Sequence, residues 1–220
     1  ETFPSVRITV AHIDRSVADT WRIHAVPTRI NNDVVLCPAW VTSPDATHII
    51  RIEPADTFGL GNHTTTVLAL RLGLAHCDPE SRVFDFGCGS GIVGIAAALA
   101  GAKTVFVADL DPQALLAAQV NAAVNGVDIQ IVDGDWPQVD LLLASDVLYD
   151  ISSSVDLKTL MLDIPHWLLA ESRFVAPDFV ELRCLQQIVT STLPAIGDFD
   201  ERVEVDIYCR RDDPLIPMLN

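Results

Sequence analysis

Residues 83–94 read VFDFGCGSGIVG, an apolar strand that breaks into glycines and resumes as an apolar helix. The glycines satisfy two spacings at once, an acid-led Gly87-x-Gly89-x-Gly91 and an overlapping Gly89-x-Gly91-x-x-Gly94. A tight turn of this kind needs residues without a Cβ, because the backbone must reverse and let another group approach it closely. A strand that turns this way into a helix is the opening unit of a doubly wound α/β sheet.

Working outward from that turn, strand-like and helix-like runs alternate. RVFDF, KTVFVADL, VDIQIVDG and VDLLLASDVLY are nearly continuous apolar strands, separated by the helical stretches GIVGIAAALAG and DPQALLAAQVNAAVNG. Strands that are apolar on both sides belong to a parallel sheet covered on both faces. Asp111-Pro112 supplies an N-cap and a first-position proline, and Asn125-Gly126 closes the same helix. Beyond Tyr149 the pattern predicts a helix over Val155 to Leu169, a strand RFVAP, a helix DFVELRCLQQIVTSTL and a closing strand RVEVDIYCRR. The closing strand alternates as an antiparallel strand near a sheet edge does. Only about ten residues separate it from the preceding helix, so the strand usual at that point is expected to be very short or absent. Residues 1–55 carry short strands, SVRITV, WRIHAVPTRI and DVVLCPAW, between polar and proline-bearing turns. The expected architecture is therefore an α/β domain over 56–220, Rossmann-like and mostly parallel with an antiparallel C-terminal strand, preceded by a small β-rich extension.

At 220 residues the chain can bury one full α/β core. Its net charge of −16, from 30 acidic and 14 Lys and Arg residues, argues against a surface made for phosphate backbones. No direct nucleic-acid binding is expected, and a basic protein partner fits better, while simple solubility or adaptation to a salty interior explains the acidity equally well. The five cysteines, at 37, 77, 88, 184 and 209, form neither a disulfide framework nor a metal-ligand spacing, so no metal is expected. No run reaches membrane-spanning length, and the N-terminal ETFPSVRITV lacks the layout of a signal peptide. A cytoplasmic protein without a membrane association is the expectation.

The residues around the glycines separate the two ligands that such a turn can hold. Asp85 sits two positions ahead of Gly87, where a carboxylate facing the crevice repels a pyrophosphate but attracts the ammonium and sulfonium of S-adenosylmethionine. Asp109 ends the second strand, where an acid accepts from ribose hydroxyls or merely starts the turn. Asp135 and Trp136, in VDGDWP, are candidates for the adenine amino group and ring, or else a loop acid and a core cap. Ser145 and Asp146 close the fourth strand, at the end of an α/β sheet where ligands bind, although SDVLYD also reads as a helix N-cap with Tyr149 in the core. His63, Thr64, Thr65 and Thr66 precede the apolar helical run VLALRLGL and are candidates to cap it.

Together DFGCGSG, Asp109, DGDW and SDVLYD resemble the class I, seven-β-strand S-adenosylmethionine-dependent methyltransferases over about residues 56–210. The approach segment, with Phe58, Gly59, Gly61, His63, Thr65 and Thr66, is similar to that of the PrmA-type ribosomal-protein methyltransferases. Two departures stand out: that group has an Asn-led fourth-strand motif where this chain has SDVLYD, and the roughly fifty residues ahead of the approach segment are fewer than its complete substrate-recognition domain. Asp146-Val147-Leu148-Tyr149 instead resembles the Asp-x-x-Tyr motif of the seven-β-strand protein-lysine methyltransferases. The resemblance implies S-adenosylmethionine as cofactor, with Phe58, His63, Thr65, Asp85, Gly87, Cys88, Gly89, Gly91, Asp109, Leu110, Asp135, Trp136 and Ser145 around it. It implies Asp146 and Tyr149 as catalytic residues and lysine of a protein as acceptor. Small-molecule N-methylation and a non-catalytic cofactor-binding module are the alternatives.

Overall fold

The computed structural model describes residues 22, 25–53, 63–133, 135–148, 163–173, 180–191 and 202–213. The central sheet has seven strands: β4 (Arg82–Phe86), β5 (Thr104–Ala108), β6 (Gln130–Ile131), β7 (Leu141–Ser145), β8 (His166–Ser172), β9 (Leu182–Thr190) and β10 (Val203–Arg210). Their order is β6-β5-β4-β7-β8-β10-β9, with β4 to β8 parallel and β10 antiparallel to both of its neighbours. The expected α/β class, mostly parallel with an antiparallel closing strand, is thus the observed one. Alternation along the strands divides the core in two. Val83, Val105, Leu141, Leu143 and Leu168 face one way, and Phe84, Leu142, Ala144, Trp167 and Leu169 face the other. Helices α1 (Thr64–His76) and α2 (Ile92–Leu99) pack on the first face, and α3 (Pro112–Asn125) lies beside α2.

The helix signals act as expected. The Asp111 side chain accepts from Gln113 N at 2.9 Å, and Gly126 closes α3 at φ +67°. Gly94 brings α2 close to the sheet, since a Cβ there would stand 3.1 Å from Val105 Cγ1.

Three expectations fail in the C-terminal third. Residues 166–169 belong to β8 rather than to a helix, Asp163 is helical, and 155–162 lie outside the described residues. WLLA is buried on both sides, and an apolar run of that length does not by itself distinguish a buried strand from a buried helix. The expected helix over 178–193 is instead occupied by β9, so the strand expected to be missing is nine residues long. Its register with β10 shifts between Ile207, opposite Gln186, and Tyr208, opposite Cys184, which leaves Leu185 bulged. The bulge lets Leu182 and Leu185, three apart, both be buried, and that spacing imitates a helix. Of the strand expected at RFVAP only Arg173 is described, in the turn after β8, and 174–177 lie outside the described residues.

The β-rich extension contributes a three-stranded sheet of β1 (Thr28–Arg29), β2 (Val34–Pro38) and β3 (His48–Ile52), while SVRITV lies outside the described residues. The outer edge of β3 is closed by two asparagines of α3. Asn125 accepts from Arg51 N and donates to Arg51 O, both at 2.7 Å. Asn121 accepts from Glu53 N at 2.7 Å and donates to Glu53 O at 3.1 Å and Ser90 O at 2.9 Å. The spacing matches because four residues advance about 6 Å along a helix and two residues about 6.6 Å along a strand. Each amide thus replaces the missing neighbour strand. Asn121→Ala is expected to cost about 2–4 kcal/mol, because it strands buried backbone groups. Amide exchange at Glu53 should accelerate far more than in β4, and unchanged exchange there would show that other contacts hold the small sheet.

Candidate functional site

Three turns meet at the carboxyl end of the sheet. In the glycine turn after β4, the amides of Gly87 and Cys88 donate to Ala108 O at 2.9 and 3.0 Å. Gly87, Gly89 and Gly91 all have positive φ. A Cβ on Gly87 would stand 2.6 Å from Val147 Cγ1, so this turn lies directly against the one that follows β7.

Asp85 does not lie open to the crevice as its place in the motif suggests. It is 2% exposed, and its Oδ2 accepts from Gly94 N at 2.8 Å in the first turn of α2. The reason is local: α2 starts at Gly91, which has no side chain to cap it, and its first turn has no acid. Burial pushes the Asp85 carboxyl up to about 7, against the Gly94 bond and with the charge of Asp109 adding to the rise. Burial likewise raises the Cys88 thiol, with Asp85 and Asp109 adding, which keeps it from acting as a thiolate.

Asp109 accepts from Gly89 N at 2.8 Å through one oxygen and from Asp111 N at 2.9 Å through the other, so it ties the glycine turn to the turn after β5. Beside it Leu110 is 95% exposed. Trp136 is 46% exposed and leans on Phe84 and Phe86, with ring centroids 5.8 and 5.9 Å away, so it both caps the core and presents a face to solvent. Asp135 is exposed. Asp109, Asp111, Asp133 and Asp135 make this rim acidic.

The third turn carries Asp146. Strand parity would send its side chain to the face of Leu142 and Ala144, yet its φ is +50° and its carboxylate reaches the α1 face. There Oδ2 accepts from the Thr65 hydroxyl at 2.6 Å, with His63 Nδ1 at 3.3 Å, and Oδ1 accepts from Ser172 N at 3.0 Å and the Ser172 hydroxyl at 2.9 Å. Thr65 Oγ1 lies 2.6 Å from His63 Nδ1, and since that hydroxyl donates to Asp146, it selects the tautomer with the proton on Nδ1. Burial raises the Asp146 carboxyl, but the bonds from His63, Thr65 and Ser172 outweigh it and hold the group below the usual carboxylate range. His63 occupies the N-cap position of α1 without a side-chain cap bond, so the capping expected of it and of Thr65 gives way to the link with Asp146. Tyr149 and Phe58 lie outside the described residues.

Glu171 completes this turn and was not anticipated. Fully buried, it accepts from Val147 N and Leu148 N, each at 3.1 Å, and so braces the backbone that holds Asp146 in its left-handed conformation. Its signal in the sequence is an acid in step with Trp167 and Leu169 at the end of an apolar run. Burial pushes its carboxyl up to about 8, against those two bonds and with the Asp146 charge adding.

The raised acids set a pH dependence. Between the ordinary glutamate value of 4.5 and about 8, folded Glu171 binds more protons than the unfolded chain, so stability falls as pH rises. Asp85 acts in the same sense from 3.8 to about 7. The lowered Asp146 and Asp140 act oppositely, and only as pH falls below their ordinary values. The melting temperature should therefore be higher at pH 5 than at pH 8, and Glu171→Gln should flatten that slope. A melting temperature that rises over this interval would contradict the assigned burial.

The sequence profile of the ribosomal protein L11 methyltransferase (PrmA) family matches residues 5–156. The ribosomal protein L11 methyltransferase of Psychrobacter sp. (strain PRwf-1) is 37% identical over 151 residues, which is 62% of this chain and 49% of that protein. That of Acinetobacter baumannii (strain SDF) is 44% identical over 110 residues, 49% of this chain and 36% of that protein. The chain thus spans half or less of the length of these curated relatives. The crystal structure of ribosomal protein L11 methylase from Lactobacillus delbrueckii subsp. bulgaricus superposes with a TM-score of 0.62 at 25% identity, covering 84% of this chain and 97% of that one.

Proposed function

The chain belongs to the ribosomal protein L11 methyltransferase (PrmA) family, and from that premise we propose that it is an S-adenosylmethionine-dependent N-methyltransferase acting on lysine side chains of a protein. A ribosomal protein like the one in the relatives' names is the first acceptor to try. The observation that carries this reading is Asp146: a carboxylate in a left-handed turn, gripped by Thr65, His63 and Ser172, directly against the glycine turn.

The residues present fit the cofactor. Within the glycine turn Cys88 and Ser90 are buried and Gly89 carries no side chain, and the rim of Asp109, Asp111, Asp133 and Asp135 suits a ligand that carries positive charge better than a pyrophosphate. Asp109 and the Gly87 to Gly91 backbone would hold the ribose and amino-acid portions, Leu110, Asp135 and Trp136 the adenine, and Phe58, His63, Cys88 and Ser145 the remaining wall, with the fully buried Thr65 behind it holding His63 and Asp146. Asp85 acts from beneath, by fixing the start of α2. When bound, S-adenosylmethionine supplies a methyl group on a sulfonium, open to in-line attack by an amine.

The chain's own part is alignment and charge. Asp146 holds the incoming lysine ammonium at a set position. Its depressed pKa makes it a poor proton acceptor, so it acts as an electrostatic anchor while the proton passes to water before attack. Tyr149 would form the pocket wall beside the cationic head. The domain over 56–220 carries this chemistry and the segment 1–55 the extension. A cytoplasmic setting accords with five free cysteines, and the net charge of −16 favours a basic segment around the acceptor. Among the described residues no helix is long and apolar enough to cross a membrane.

Incubation with radiolabelled S-adenosylmethionine and a methyltransferase-deficient extract should label a protein band at lysine. Asp146→Asn should lower transfer by about 100-fold or more while leaving cofactor affinity within about threefold, and Asp109→Ala should weaken cofactor binding itself. Label confined to small molecules, or equal loss of cofactor binding in both variants, would overturn the reading.

A further inference from the structure

A cleft of about 130 Å³ opens between β1, α1 and the end of β9. Its polar lining is Thr28, Arg29, Thr64, Arg71, Thr190 and Ser191, over an aliphatic floor. Two features mark it as built for a ligand. Arg71 is fixed by its Nε, which donates to Ile30 O at 2.6 Å, and Arg29 donates through one terminal nitrogen to Asn32 O at 3.1 Å. In a chain with 30 acids, neither guanidinium has an acid partner among the described residues, although Arg22, Arg82, Arg173, Arg202 and Arg210 all do. Thr64 in turn is only 7% exposed, and its hydroxyl, itself shut off from solvent, has no hydrogen-bond partner among the described residues. A buried hydroxyl left unpaired is costly and calls for a partner.

The cleft lies at the same end of the sheet as Asp146. Ser172, which holds Asp146, is opposite Val205 on β10, and Thr190 is opposite Val203 on the other side of that strand. Two strand spacings separate β8 from β9, about 10 Å. On α1, Thr64 is the neighbour of Thr65, the residue that donates to Asp146. Two or three residues of extended peptide cover about 7–10 Å, comparable with that two-strand separation.

Resting on the lysine-methyltransferase reading above, we propose that this cleft is an acceptor subsite that takes an aspartate or glutamate side chain of the substrate polypeptide, two or three residues from the lysine. The planar guanidinium of Arg71 receives the carboxylate as a fork, Arg29 adds charge at the mouth, and rotation of the Thr64 side chain brings its hydroxyl, shut off from solvent while the cleft is empty, to the remaining oxygen. The chain's overall acidity would draw in a basic segment without discriminating among lysines. One required acid at a set distance converts that attraction into selection of a site.

The test uses two end-capped, fluorescently labelled heptapeptides, each with one lysine and either glutamate or glutamine three positions away. Affinities are read by fluorescence anisotropy on the full chain, and methyl transfer to each peptide is followed separately. The glutamate peptide should bind about tenfold more tightly, as a charge-assisted bond predicts. Arg71→Gln should abolish that preference. Arg29→Gln should reduce it and keeps the test open if loss of the bond to Ile30 unfolds the first variant. Thr64→Val should weaken the glutamate peptide without lowering the melting temperature. Equal affinities, no measurable binding of either peptide, or a preference that survives Arg29→Gln undiminished would each overturn the subsite. Preferential binding without transfer would instead leave the subsite standing and count against lysine methylation by this chain, and equal transfer to both peptides would do the reverse.

Discussion

Loops at the carboxyl end of this sheet are pinned by carboxylates that accept backbone N–H groups. Asp85 takes the amide of Gly94, Asp109 those of Gly89 and Asp111, Glu171 those of Val147 and Leu148, and Asp146 that of Ser172. A strand that ends in a turn leaves amides without a ladder partner, and a buried amide must be satisfied. Here acidic side chains do this as a frame of two groups: Asp109 ties the glycine turn to the turn after β5, Asp146 and Glu171 tie the turn after β7 to β8, and the two groups meet where Val147 packs on Gly87. Part of the chain's acidity is therefore structural, whatever partners its surface attracts.

The frame sorts its acids by environment. Asp85 and Glu171 are buried deeply enough that desolvation outweighs their amide bonds, whereas Asp146 gathers hydroxyl, amide and imidazole contacts that keep it charged. The neighbouring acids Glu171 and Asp146 thus sit in surroundings that favour opposite states: the buried one braces the backbone, and the more richly hydrogen-bonded one keeps its negative charge. Asp146 depends on this brace, since a left-handed conformation is costly for a residue with a side chain. The same turn could not be held by the strand register alone, which directs the side chain to the opposite face.

Much of the fold was legible because its signals are local. The glycine turn, the Asp111 cap, Gly126 and the apolar runs of β4, β5 and β7 all follow from neighbours in the chain. The C-terminal third was not. WLLA has no periodicity to separate strand from helix, and the bulge at Leu185 gave β9 the spacing of a helix face. In the site, the residue types and their strand-end positions were readable, whereas the link of His63 and Thr65 to Asp146 was not, because Thr65 and Asp146 stand 81 positions apart. Glu171 has only a weak signal, its alternation with Trp167 and Leu169, and that becomes readable only once HWLLAES is known to be a strand rather than a helix.

The sequence by itself determined the strand-glycine-helix opening, the alternation that makes an α/β sheet, and which acids stand at strand ends, since each depends on propensities and periodicities within a few residues. Only the tertiary structure decided where those acids point. Asp85 turns beneath α2 because Gly91 cannot cap it, and Asp146 crosses to α1 because Glu171, 25 residues away, holds the intervening turn. Both choices are made by orphan amides finding acceptors across long sequence distances. Hydrogen-bond partners brought together by sheet order leave no mark on the local pattern of the chain.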